Sequence, residues 1–157
     1  MTTHTYSSEL EWTGSTGDGY RAYGRAHAVG LGEAGSLTVS ADPAFRGDAA
    51  LPNPEQLLLA AANSCQLLSF LAVAALAQID IVHYRGSAEA IMPTDADPVR
   101  ITGMTLNVAV TARGAGEWRV RELIQTAHQQ CYIANTLATP VTVIADVEIL
   151  ENAEAVA

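Results

Sequence analysis

Apolar and polar positions along the chain change period several times, and each change predicts an element. Residues 8–13 and 20–29 read as short strands on either side of the glycine-rich stretch 14–19, the mark of a hairpin. A third strand is expected at 36–40. Residues 41–53 hold Pro43, Gly47 and Pro52 and read as a loop. A helix then begins with a strong signal: Asn53 is a good N-cap, Pro54 suits the first helical position, and Gln56 completes a capping box. It runs to about Gln78 and is apolar nearly all round, which predicts a buried helix. Stretches 79–92 and 100–112 read as longer strands, joined by a turn over 93–98. Val120, Leu123, Ile124, Ala127, Cys131, Ala134 and Leu137 recur at steps of three and four, one stripe of a second helix over 117–138 that Pro140 ends. A last strand is expected at 141–149, followed by a frayed tail at 151–157. The predicted order is β-β-β-α-β-β-α-β, an α+β fold. With no internal repeat and no long linker, it reads as a single domain over 1–157.

The chain length of 157 residues agrees with one domain at the usual ~150. With 49% hydrophobic and 16% charged residues it can bury a core, which argues against disorder. The formal charge is −9, all eight basic residues are arginine, and lysine is absent. That excludes a basic footprint for nucleic acid, a lysine phosphate loop and Schiff-base chemistry. Among the usual nucleophiles it leaves hydroxyls, carboxylates, Cys65 and Cys131. The N-terminal residues carry neither a positive charge cluster nor an apolar run, so a secretory signal is not expected. The apolar stretch 57–79 approaches the ~20 residues of a membrane span. It is broken by Asn63, Ser64, Gln66, Ser69 and Gln78, and reads instead as a helix between sheets or between subunits. Two cysteines are too few for a secreted disulfide scaffold, so the expectation is a soluble cytoplasmic protein that binds neither membrane nor nucleic acid.

Both cysteines fall on apolar helical positions. One reading makes them small core hydrophobes, a common fate of free cysteine. The other pairs them across two packed helices, which needs Cα atoms within ~7 Å. A mid-helix thiol lacks the helix N-terminus that commonly lowers its pKa, so ionisation would call on a cation, here arginine or protonated histidine. His128 and Cys131 form an H-x-x-C spacing, a weak zinc signal that Cys65 could extend. Taken alone, Glu55 is an acid favoured by the helix dipole. Arg25, Arg21 and His27 are strand residues on that view, and Arg46 belongs to a turn.

Two segments carry more. Pro52-Asn-Pro-Glu55-Gln-Leu-Leu-Leu-Ala-Ala is followed, ten residues after Glu55, by Cys65. Ala127-His-Gln-Gln-Cys131-Tyr-Ile-Ala-Asn135 lies in the later helix. In these segments and in its order of elements the chain resembles the OsmC/Ohr family of organic hydroperoxide reductases. It departs from the hydroperoxide-reductase branch in being poor in aromatics near Cys65 and in carrying Tyr132 where that branch prefers proline. The resemblance implies an intertwined homodimer, two sheets around a pair of central helices, with active sites at the subunit interface. It implies a thiol peroxidase without metal, haem, flavin or other cofactor. Cys65 would be the peroxidatic thiol, Cys131 the resolving thiol and Glu55 the catalytic glutamate. Arg25 is the best match to the family's arginine and Arg21 the second choice. The substrate would be an organic hydroperoxide and the reductant an external dithiol of the lipoyl type. The alternative is a small-ligand-binding protein that keeps the fold without turnover.

That chemistry suits these residue types. A free thiol is only a few per cent ionised at neutral pH, and a neighbouring guanidinium would favour the thiolate. A carboxylate can hold the guanidinium by a two-pronged bond. Attack on the peroxide would leave a sulfenic acid, which a second thiol condenses to a disulfide before further oxidation.

Overall fold

A computed structural model describes residues 2–151, so the tail expected at 151–157 lies outside the described residues apart from Glu151. The chain divides into two compact units at Leu58 and Leu59. The element order matches the expected α+β pattern, with one helix more.

The first unit holds an antiparallel sheet of β1 (Glu9–Glu11), β2 (His27–Gly30) and β3 (Ser36–Val39), in that order. Glu9 pairs with Gly30, and His27 with Val39. The strand expected at 20–29 begins only at His27. Residues before it turn back on themselves, with Gly19 at φ 89° and bonds from the Gly19 amide to the Thr16 carbonyl and from Ala22 to Gly19. After β3, a 3-10 turn at Pro43–Phe45 is capped by the Asp42 carboxylate, which accepts from the Ala44 amide at 2.7 Å. Gly47 then passes so close to Ala41 that a Cβ would lie 1.6 Å from its carbonyl oxygen, so only glycine fits. The capping box forms as expected. The Gln56 amide donates to Asn53 Oδ1 at 2.8 Å, and Gln56 Oε1 accepts from the Asn53 amide at 3.0 Å.

These bonds start α1 (Pro54–Leu76), which from Leu59 onward belongs to the second unit. The second unit's sheet has the order β4 (Asp80–Ile91), β5 (Gly103–Arg113), β6 (Val141–Leu150). β4 and β5 are antiparallel, while β5 and β6 are parallel, joined by the crossover through α2 (Glu117–Gln130) and α3 (Tyr132–Thr136). Alternation along β5 turns Met104, Leu106, Val108, Val110 and Ala112 inward. Of these, Val108, Val110 and Ala112 meet Phe70, Val73 and Ala74 of α1 and Val120, Leu123, Ile124 and Ala127 of α2 in one core. Each fully buried Val or Leu there contributes roughly 1.5–3 kcal/mol.

Two expectations are corrected here. The second helix is not continuous over 117–138. It stops at Gln130, Cys131 takes an extended conformation (φ −70°, ψ 110°), and α3 starts anew at Tyr132. The stripe from Val120 to Ala127 is buried as expected, whereas Ala134 and Leu137 are only half-buried. Nor is α1 buried all round. It is long and apolar enough to cross a membrane by length and composition, yet Ala62, Gln66, Phe70, Val73 and Ala74 form a single buried face. On its other side Leu68, Leu71 and Leu76 are exposed, Leu76 at 85%.

Candidate active site

The break at Cys131 builds the site in the second unit. In a continuous helix the amides of Tyr132 and Ile133 would bond carbonyls one turn back. Starting a new helix frees them, as the first amides of any helix are free. Hydrogen bonding with both lowers the thiol of Cys65 on α1. Hydrogen bonding with the Cys131 thiol and the Ser69 hydroxyl lowers it as well. Burial pushes the Cys65 thiol up, but these four donors outweigh it, and Cys65 lies below its ordinary value. A cation is therefore not needed for the direction of this shift.

Cys131 is held the other way. Burial pushes its thiol up, and the hydrogen bond it gives to Cys65 and the charge of a Cys65 thiolate push it further; the Ala134 and Ile133 amides offset part of this. The Ala134 amide lies 3.5 Å from the Cys131 sulfur. Cys131 is fully buried, Cys65 half-buried, and both are free thiols. Tyr84 of β4 packs its ring 5.9 Å from that of Phe70. Burial, with a smaller contribution from Cys131 once it ionises, pushes its phenol up to about 12, so it stays neutral. Gly86, two residues on, leaves room for Asn63 of α1, whose Oδ1 would sit 2.4 Å from a Cβ there. Cys65 opens to a groove of about 510 Å³ walled by Ala61, Leu68, Ala72, Tyr132 and Ile133. Tyr132 stands at its edge, 82% exposed.

Arg25 and Glu55 line a separate pocket of about 410 Å³ in the first unit, with Trp12, Tyr23, His27 and Phe45. The Arg25 guanidinium lies 4.0 Å above the Tyr23 ring and 4.7 Å above that of Tyr20. Its nitrogens donate to the carbonyls of Tyr23 at 2.9 Å and Tyr20 at 2.8 Å. The expected carboxylate clamp is thus not made: the guanidinium is held by backbone oxygens and two aromatic faces rather than by Glu55. Trp12 meets Tyr23 edge to face and donates to the Gly24 carbonyl, which fixes the pocket wall. Arg21 is exposed in the turn before this pocket, and Arg46 is exposed at the left-handed position ending the 3-10 turn.

His128 lies in the last turn of α2 and its carbonyl accepts from the Cys131 amide at 3.2 Å. Among the described residues no group of three or more His, Cys, Asp or Glu side chains gathers as a metal site. Ser69 and the two junction amides were not singled out by sequence reasoning. Ser69 carried a usable signal, since it follows Cys65 by four residues on one helix. The amides carried only the proline that the hydroperoxide-reductase branch prefers at the position of Tyr132, a residue suited to a helix start.

An α+β fold with two free thiols, one on a long helix and one at the break between two shorter helices, defines the class. The OsmC-like protein family model matches residues 47–146, and the chain belongs to that family. No curated protein sequence matches it. Among solved structures, it is similar to an OsmC-like protein of unknown function from Vibrio cholerae. That pair has a TM-score of 0.81 and 24% identity, covering 92% of this chain and 100% of that one. It is also similar to an organic hydroperoxide resistance protein from Elizabethkingia anophelis, with a TM-score of 0.69 and 20% identity over 95% and 99% of the two chains. A third likeness is to the organic hydroperoxide resistance protein OhrB of Bacillus subtilis, with a TM-score of 0.59 and 21% identity over 91% and 98%.

Proposed function

We propose that the protein is a thiol peroxidase that reduces organic hydroperoxides to alcohols. The observation that carries this reading is the placement of two free thiols in a chain of the OsmC-like family, Cys65 opening to a groove and Cys131 buried at the helix break, and the directions of their shifts agree with it. The Cys65 thiolate attacks the outer peroxide oxygen and the O–O bond breaks. The leaving alkoxide takes a proton and departs as alcohol, and Cys65 becomes a sulfenic acid. The Cys131 sulfur then attacks the Cys65 sulfur, expelling water and forming the disulfide. An external dithiol restores both thiols by exchange and is itself oxidised.

A lipoyl-type dithiol is the reductant carried by the resemblance, and the half-buried Cys65 sulfur is the one it would reach. Arg25, favoured over Arg21 by its place in the pocket with Glu55, is the arginine the resemblance assigns to the reaction. The exposed apolar side of α1 supports a homodimer in which that side is covered, and sedimentation should then give twice the chain mass. A reduced cysteine pair suits the cytosol. The test is steady-state consumption of cumene or t-butyl hydroperoxide with a dithiol. Turnover should be lost in Cys65→Ser, and full turnover in that variant would overturn the reading.

A further inference from the structure

We propose that Ser69 is a catalytic residue of this site, its hydroxyl donating to the Cys65 thiolate. The assignment rests on the proposed peroxidase reading only for its consequence on turnover. Ser69 follows Cys65 by four residues on α1, which places the two side chains one above the other on one face. Both line the same groove, beside Ala61, Leu68 and Ala72. A hydroxyl among apolar neighbours is costly unless it is bonded. Helical hydroxyls commonly meet this need by turning to the carbonyl four residues back. Thr126 does so toward Glu122 at 3.0 Å, and Thr136 toward Tyr132 at 2.7 Å. Ser69 makes no such bond, which leaves its hydroxyl to turn toward the Cys65 sulfur one turn away in the same groove, and hydrogen bonding with Ser69 lowers the Cys65 thiol.

The other groups around this sulfur are the Cys131 thiol and the two junction amides, with neutral Tyr84 behind Cys131. Of these donors Ser69 is the one that a side-chain change removes without touching the dithiol. It transfers no proton. It stabilises the charge on sulfur before attack and releases it when the sulfur bonds oxygen.

The test is site-resolved alkylation of Cys65 by iodoacetamide from acid to alkaline pH, read by mass spectrometry on the whole chain. Ser69→Ala favours helix and should fold. Its alkylation midpoint should move up by about one unit, slowing neutral-pH alkylation roughly tenfold, with the wild-type plateau regained at alkaline pH. Ser69→Thr, which keeps a donor, should bring the midpoint back. An unchanged midpoint in Ser69→Ala overturns the proposal, as does an equal loss of rate at every pH, which would mark a packing role. No hydroperoxide enters this assay. A shifted midpoint in a protein that consumes no hydroperoxide would keep the Ser69 assignment and reject the peroxidase reading.

Discussion

Cys131 lies buried at the break between α2 and α3, where hydrogen bonding with it lowers the Cys65 thiol, while its own thiol is raised. One proton shared between two sulfurs stabilises the thiolate on the more accessible one and keeps the buried one neutral. The same contact orders the reaction in time. While Cys65 is a thiolate, its charge holds Cys131 protonated. Once Cys65 is a sulfenic acid that charge is gone, and one of the causes that raise Cys131 goes with it, while burial and the Ala134 and Ile133 amides remain.

Removing the Cys131 donor should therefore raise the Cys65 midpoint. Cys65 is an acid whose folded value lies below its ordinary one, so its reactivity rises as pH rises through that depressed value and then levels off. In Cys131→Ala the rise should shift up by about one unit, while Cys131→Ser, which keeps a hydroxyl donor, should shift it less. Alkylation rate against pH reads this directly. An identical profile in Cys131→Ala would mean that the junction amides and Ser69 suffice.

Without its resolving partner, Cys65 should turn over once. Cys131→Ser, supplied with no external thiol, should consume about one hydroperoxide per chain and then stall. Whole-protein mass spectrometry should next find sulfinic acid on Cys65. Sustained turnover without thiol would show that another group resolves the sulfenic acid.

The start of α1 makes a prediction on stability. Asn53 and Gln56 satisfy each other's amides, so Asn53→Ala should cost about 1 kcal/mol in urea unfolding. Because the two bonds form one reciprocal box, Gln56→Ala in the Asn53→Ala background should add less than it does alone. Full additivity would contradict the box.

Features set by local chemistry were legible in the sequence, and those set by tertiary contacts were not. The capping box at Asn53 and Gln56 and the buried stripe from Val120 to Ala127 both follow from neighbouring residues. The late start of β2 does not. Residues 20–26 alternate enough to suggest a strand, but Arg25 folds back onto Tyr20 and Tyr23 and holds a compact turn instead. The break at Cys131 is also hidden, because His128 to Tyr132 contains neither glycine nor proline. That break is what delivers two amides to Cys65, so the assumption that a mid-helix thiol lacks a helix start nearby failed at the decisive place. Spacing left the cysteines open between core residues and a pair. The resemblance supplied the pairing, which the peptide mapping below tests.

The central claim is that Cys65 and Cys131 act as one redox pair, and the arginine-only composition makes it simple to check. Trypsin, with no lysine to cut, releases Cys65 in the peptide 47–85 and Cys131 in the peptide beginning at Glu122. After one equivalent of cumene hydroperoxide, non-reducing peptide mapping should recover these two joined by a disulfide within a single chain. Hydroperoxide consumed with both thiols still free, or with disulfides only between chains, would contradict it.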